Sequence, residues 1–112
     1  MTTRFALAAL IAAAFAIPLS AAAAADADAA EALLKKNNCS KCHSVDKAKK
    51  GPSFKKVAEK YKGKADGEEK IIKNITTAPK VKLDDGTEEE HKVIDTKDPK
   101  ALKNLAQWIL ER

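Results

Sequence analysis

Two cysteines and a histidine stand close together in Cys39-Ser40-Lys41-Cys42-His43, and these residues are the best suited to chemistry in this 112-residue chain. A C-x-x-C-H spacing places two thiols on one tight turn, where each can add to one vinyl group of a haem. The histidine that follows is then held over the iron as an axial ligand. The motif therefore predicts one haem c, covalently bound through Cys39 and Cys42, with His43 bound to the metal.

Thiols and imidazoles also serve in two other kinds of site. A C-x-x-C redox pair is typical of a thioredoxin-like βαβ unit, whereas this chain shows no convincing period-two alternation. A structural zinc site needs four cysteine or histidine ligands. The available set is Cys39, Cys42, His43 and His91, and its spacing matches no common zinc pattern. Both alternatives are weaker interpretations of the motif than haem attachment.

The start of the chain has the pattern of an export signal. It is positively charged, residues 5–19 are apolar apart from Pro18, and residues 20–25 end in small side chains. A membrane span would need about 20 unbroken apolar residues, so the pattern favours a cleaved secretory signal peptide. We expect residues 1–25 to be removed and residues 26–112 to form one periplasmic domain, with no stable membrane insertion. Export also argues against nucleic-acid binding.

Four later segments have the composition or the apolar period of a helix, and three of them begin at a capping residue. They cover residues 27–37, a short segment after Ser53, a segment that starts with a capping box at Asp66, and a last helix from Asp98-Pro99. Apolar residues repeat at one-face spacing in the last three: Phe54, Val57, Ala58 and Tyr61; Ile71, Ile72 and Ile75; Leu102, Leu105, Ala106 and Ile109. The sequence therefore predicts an all-α domain.

Residues 78–96 have no helical period and form a long predicted loop before the last helix. A loop of this length in so small a domain is usually functional, and it cannot bury a core by itself. We therefore expect a large apolar group to lie beneath it.

Taken together, these features resemble the small class I cytochromes c of bacterial periplasms. The resemblance runs from the helix before Cys39, through the C-x-x-C-H motif and Gly51-Pro52, to the last helix with Trp108. It implies the class I cytochrome c fold, with three to four helices around one covalently bound haem and a ligand-bearing loop before the last helix. It also implies that the carbonyl of Pro52 accepts a hydrogen bond from the imidazole of His43 and so supports that ligand.

At the sixth iron ligand the chain departs from that family. The usual residue is a methionine in the loop before the last helix, yet Met1 is the only methionine of this chain. The family methionine often lies about 17 positions before the helix tryptophan, and counting back from Trp108 reaches His91. We therefore expect bis-histidine ligation by His43 and His91. An open or water-bound site is the alternative, because His91 follows three glutamates, residues 88–90, and could be a solvated surface residue.

Charge is distributed unevenly along the chain. Residues 35–64 contain eleven lysines and two acidic residues, a net charge of +9, whereas residues 84–98 carry seven acidic residues and two lysines, a net charge of −5. Such an asymmetry can orient a protein on a charged partner, and it equally serves to keep a small protein soluble.

The sequence as a whole predicts a monomeric one-electron carrier, not an enzyme, that docks on redox proteins with acidic surfaces. Two other functions stay open. One is a haem-based binder or sensor of small ligands such as gases, with an open or displaceable sixth site. The other is an electron-transfer subunit of a larger oxidoreductase.

Overall fold

Four helices form the framework of the described part of the chain. The computed structural model describes residues 13–14 and 24–112, and the predicted signal peptide, residues 1–25, lies almost entirely outside them. The helices are α1 Ala27–Lys36, α2 Phe54–Tyr61, α3 Gly67–Thr76 and α4 Pro99–Leu110. A 3-10 turn, Cys39–Lys41, follows α1, and two strands, β1 Lys80–Lys82 and β2 Glu88–Glu90, lie between α3 and α4. Among the described residues no helix is long and apolar enough to cross a membrane. The predicted helical architecture is confirmed.

Polar side chains cap the first turns of the helices as expected, with one exception. The Ser53 hydroxyl accepts a hydrogen bond from the Lys56 amide at 3.1 Å, and the Asp98 carboxylate caps α4, which has Pro99 in its first turn. The predicted capping box at Asp66 is wrong. The backbone of Asp66 is not extended (φ −103°, ψ 10°), so the Asp66 carboxylate caps no amide of α3. It lies instead 3.3 Å from Lys70 Nζ. Extended backbone is what lets a capping side chain reach the first-turn amides.

The core forms where α4 packs against the other three helices. Leu105 is 1% exposed and Trp108 3% exposed, and burial of each large apolar side chain stabilises the fold by about 1.5–3 kcal/mol. The buried apolar residues are Ala30, Phe54, Ala58, Ile71, Ile94, Leu102, Leu105, Ala106, Trp108 and Ile109. Most belong to the predicted stripes, but Ile94 comes from the loop. That residue fixes part of the segment after His91 against the helices.

The N-terminal end of α1 is also joined to α4 by a pair of hydrogen bonds. The Asp26 amide donates to Asn104 Oδ1 at 2.8 Å, and Asn104 Nδ2 donates to the Asp26 carbonyl at 2.9 Å. Both bonds lie at the opposite end of α1 from the cysteines.

The loop before α4 differs from the expectation, because it contains an antiparallel hairpin. Lys80 pairs with Glu90, Val81 with Glu89 and Lys82 with Glu88. Opposite charges that face each other across strands stabilise such pairs. Strands of three residues are too short to show alternation, and lysine and glutamate are poor strand formers, so the sequence gives no strand signal. Gly86, at φ +85°, supplies the left-handed residue that the turn requires.

Candidate functional site

The cysteines lie on the turn that follows α1. Asn38 adopts the left-handed conformation (φ 54°) that ends the helix, and the amides of Cys42 and His43 then donate to the Cys39 carbonyl at 3.1 and 2.9 Å. Both thiols are free and half-buried. Burial raises the pKa of the Cys39 thiol, although the nearby Lys92 ammonium opposes this shift. The fold thus places two unpaired thiols on one tight turn, next to the segment that follows His91.

His43 has a fixed orientation. Its Nδ1 lies 2.6 Å from the carbonyl oxygen of Pro52, which can only accept, so Nδ1 carries the proton and donates. Nε2 is then left with its lone pair. Burial lowers the pKa of His43 below its usual 6.5, and the bond to Pro52 opposes that shift only in part. The imidazole is therefore neutral at pH 7, which is the form that binds a metal.

Gly51 brings the backbone close to His43. Its amide donates to the Cys42 carbonyl at 2.8 Å. A Cβ atom at this position would lie 2.9 Å from Cε1 of His43 and 3.2 Å from the Cys42 carbonyl oxygen. Only glycine leaves the imidazole in its observed place, so the Gly51-Pro52 pair both makes room for His43 and orients it.

His91 follows β2 and continues the hairpin ladder. Its amide donates to the Pro79 carbonyl at 2.8 Å, and its Nδ1 lies 2.9 Å from the carbonyl oxygen of Lys92. As at His43, a carbonyl partner requires Nδ1 to donate, so Nε2 is the ring nitrogen open to another partner. The turn of the hairpin is also anchored, since the Asp84 amide donates to the Lys50 carbonyl at 3.1 Å. The backbone position of His91 is thus fixed by its own bond to Pro79 and by the bond that anchors the hairpin turn to Lys50.

The fold brings the two histidines together. The ring centres of His43 and His91 are 6.2 Å apart, and the rings are tilted by 38°. Both rings are half-buried, and both have Nδ1 bonded to a carbonyl. Two imidazoles in this arrangement can donate to the same metal ion. Residues 24–112, which contain all the cysteines and histidines, bring together no group of three or more His, Cys, Asp or Glu side chains able to hold a metal, so they offer no zinc-type ligand set.

Aromatic side chains support His43 from the core. Phe54 stacks on its imidazole with ring centres 5.2 Å apart, and Trp108 meets Phe54 edge-on at 5.6 Å. A cavity of about 370 Å³ adjoins these three residues on the side of α1, and neither cysteine nor His91 lines it. Trp108 Nε1 is buried without a hydrogen-bond partner among the described atoms. His43 is thus held by packing as well as by its hydrogen bond.

Sequence reasoning missed one residue of this region. It indicated Asn37 only as the end of a helix, whereas the structure shows an amide that is 2% exposed and bonded to the segment after His91. No local pattern distinguishes a buried asparagine from an exposed helix-capping one. The contact depends on which loop the fold brings to that end of α1.

Residues 27–112, nearly all of the described chain, match the family model described as Cytochrome c. The chain belongs to the cytochrome c family. It is 38% identical to cytochrome c-551 of Pseudomonas denitrificans over 80 residues, which cover 71% of this chain and 93% of that protein. The structure is similar to the class 1 cytochrome MtoD from Sideroxydans lithotrophicus ES-1, with 60% identity, a TM-score of 0.75, and coverage of 79% and 97% of the two chains.

A second solved structure, Nitrosomonas europaea cytochrome c552, is 33% identical with a TM-score of 0.55, and the match covers 76% of this chain and 96% of that one. The class I cytochrome c fold expected from the sequence is confirmed. Membership of this family implies one covalently attached haem c, and Cys39 and Cys42 fit the attachment motif. The chain is thus a small monohaem cytochrome, which is consistent with an electron carrier.

Proposed function

We propose that this cytochrome is an exported one-electron carrier, not an enzyme, whose haem iron is held by His43 and His91. One observation carries the proposal: two imidazoles lie with 6.2 Å between ring centres, and both have Nδ1 bonded to a backbone carbonyl. A hydrogen bond of this kind on the outer nitrogen fixes the tautomer and orientation of most metal-bound histidines.

The distance between the rings suits one shared ion. If both rings bound one ion, each donating nitrogen would lie about 2.0–2.1 Å from it, so the two nitrogens could be no more than about 4 Å apart and the ring centres about 6 Å apart. The observed 6.2 Å agrees with that value.

Other sixth ligands are less suitable. No methionine follows Met1 in the sequence. Lys80 and Lys82 are exposed on β1 and Lys92 is exposed in the loop, and a lysine amine must lose a proton before it can bind iron. His91 already has Nδ1 bonded to the Lys92 carbonyl, so Nε2 is the ring nitrogen that would bind iron.

Each residue of the site has a distinct role in this proposal. Cys39 and Cys42 would anchor the porphyrin through thioether bonds, and Pro52 holds the proton of His43 on Nδ1, which would leave Nε2 for the iron. When bound, haem c supplies an iron that gains or loses one electron. The backbone bonds at both Nδ1 atoms would hold the two imidazoles in one orientation in either oxidation state.

Export and docking complete the proposal. Residues 1–25 would be the cleaved signal that directs the protein to the periplasm, where class I cytochromes c typically act. The lysine-rich segment, residues 35–64, surrounds the attachment turn in sequence and would contact acidic redox partners as a monomer. We name this segment the basic segment.

The holoprotein isolated from the periplasm provides the test. The tryptic peptide that contains Cys39 and Cys42 should carry the mass of one haem, and a potentiometric titration should show a single reversible one-electron step. A peptide with free thiols or a disulfide would contradict the attachment. An iron that cannot be reduced and reoxidised reversibly would contradict the carrier function.

A further inference from the structure

A buried amide links the two sides of the site. Asn37 is 2% exposed and lies between the end of α1 and Cys39. Its Nδ2 donates to the Leu33 carbonyl at 2.9 Å, and its Oδ1 accepts from the Asp95 amide at 3.0 Å, across 58 positions of sequence. Both ends of the side chain therefore have partners. A buried polar group with partners at both its oxygen and its nitrogen favours one arrangement of the segments it joins.

The segment held by Asn37 is the one that supports His91. Asp95 lies four positions after His91, and the preceding residue, Ile94, is 7% exposed and donates its amide to the Ile75 carbonyl at 2.8 Å. The backbone after His91 is thus fixed at two successive residues. Those bonds restrict the peptide of Lys92, whose carbonyl accepts from His91 Nδ1. The orientation of the imidazole depends on where that carbonyl points.

An apolar side chain in place of Asn37 would remove the hydrogen bond that holds Asp95. Without Oδ1, the Asp95 amide loses its partner, and the segment is then held at Ile94 alone. The surface ion pair between Lys36 and Asp95, at 3.3 Å, is too exposed to compensate, since both side chains are about half exposed or more.

We propose that Asn37 is a positioning residue for His91: it ties the segment after His91 to the haem-attachment turn, so that the imidazole stays directed at the space it shares with His43. This inference rests on the proposed ligation by His91. Asn37 acts through the backbone of Asp95 and does not touch the cofactor site itself.

The rate of carbon monoxide binding to the ferrous holoprotein tests this role, because at saturating carbon monoxide the rate is limited by the release of His91. Asn37→Ala should raise this rate about tenfold relative to the wild type, if most of the lost hydrogen bond is transmitted to the ligand. Asn104→Ala is the matched control. It removes two hydrogen bonds that also tie α1 to a distant segment, so it should lower the melting temperature but leave the rate unchanged.

A second variant separates positioning from stability. Asn37→Asp keeps an oxygen that can accept from the Asp95 amide but sets a buried carboxylate oxygen against the Leu33 carbonyl, so it should lower the melting temperature at least as much as Asn37→Ala while the rate stays closer to the wild type than to Asn37→Ala. Equal rates in Asn37→Ala and the wild type, or equal increases in Asn37→Ala and Asn104→Ala, would overturn the inference alone. So would an Asn37→Asp variant as fast as Asn37→Ala. If the wild type bound carbon monoxide as fast as His91→Ala does, the proposed ligation by His91 would be overturned and, with it, this inference.

Discussion

The proposed chemistry depends on two imidazoles whose Nδ1 atoms are already hydrogen-bonded. Pro52 and Lys92 provide the carbonyls, and each bond leaves the opposite nitrogen of His43 or His91 free to donate. Imidazole is a stronger donor than a thioether and favours ferric iron, whereas methionine ligation raises the reduction potential. At the scale of single residues, the replacement of methionine by His91 would therefore give a lower potential than in relatives with methionine.

Gly51→Ala should disturb His43 directly. The added Cβ would lie 2.9 Å from Cε1, and the neighbouring Cys42 carbonyl prevents the backbone from yielding in the other direction. We expect the variant to lose about 1–3 kcal/mol of unfolding free energy, as for an overpacked site, and to show an altered spectrum of the ferrous holoprotein. Chemical denaturation and absorption spectroscopy measure the two effects.

Gly63→Ala is the control for this prediction. Gly63 has φ +76° and nothing within 4 Å of an added Cβ, so alanine there costs about 1 kcal/mol through backbone strain and touches no ligand. Its spectrum should equal that of the wild type. A Gly51→Ala protein with an unaltered spectrum would show that His43 tolerates the added methyl group.

Residue types and spacing predicted the attachment residues because the reacting groups are adjacent in sequence. Cys39, Cys42 and His43 occupy one turn, and their chemistry needs no other part of the fold. His91 was predicted as a ligand only by comparison with the family pattern, since a histidine after three glutamates has no local signature of a ligand. Asn37 could not be found, because its role depends on a contact across 58 positions.

At the scale of elements, the segment between α3 and α4 determines where His91 lies. The hairpin fixes the chain before His91, and the bonds of Ile94 and Asp95 fix the chain after it. Helix starts at Ser53 and Asp98 were predicted from the sequence because a cap is local. The hairpin was not, because charge pairing across two three-residue strands has no periodic signal.

The Lys36–Asp95 contact makes this element sensitive to acid. The Lys36 ammonium lowers the pKa of Asp95 below its usual 3.8, so the folded protein binds this proton less readily than the unfolded chain does. The stabilisation is therefore complete above the usual pKa and is lost as pH falls through the lower folded value. Asp95→Asn should destabilise the protein to urea at pH 7, and the difference from the wild type should shrink below pH 3.8. An equal difference at both pH values would contradict the assignment to this ion pair.

At the scale of the whole molecule, the charge asymmetry bears on how partners meet the cytochrome. Positively charged surfaces steer association with acidic proteins, and this effect is screened over a Debye length of about 8 Å at physiological ionic strength. If the basic segment is the docking surface, electron transfer to an acidic redox protein should slow steeply as salt is added. Stopped-flow kinetics over a range of ionic strength measure this dependence.

Two variants with the same change in net charge test whether the basic segment is the docking surface. Lys41 is exposed within the basic segment, and Lys103 is exposed on α4, outside it. Lys41→Gln should slow the second-order rate about two- to fivefold at low salt, whereas Lys103→Gln should have little effect. Equal effects of the two variants, or rates that do not depend on salt, would exclude docking through the basic segment.

Absorption spectroscopy of the ferric and ferrous holoprotein, with and without carbon monoxide, tests the central claim most directly when the wild type is compared with His91→Ala. Ligation by His43 and His91 predicts a low-spin, six-coordinate wild type in both oxidation states. It also predicts that His91→Ala opens the sixth position and binds carbon monoxide readily. A wild type that is already high-spin at neutral pH, or a His91→Ala variant with an unchanged spectrum, would contradict the claim and favour a binder of small ligands.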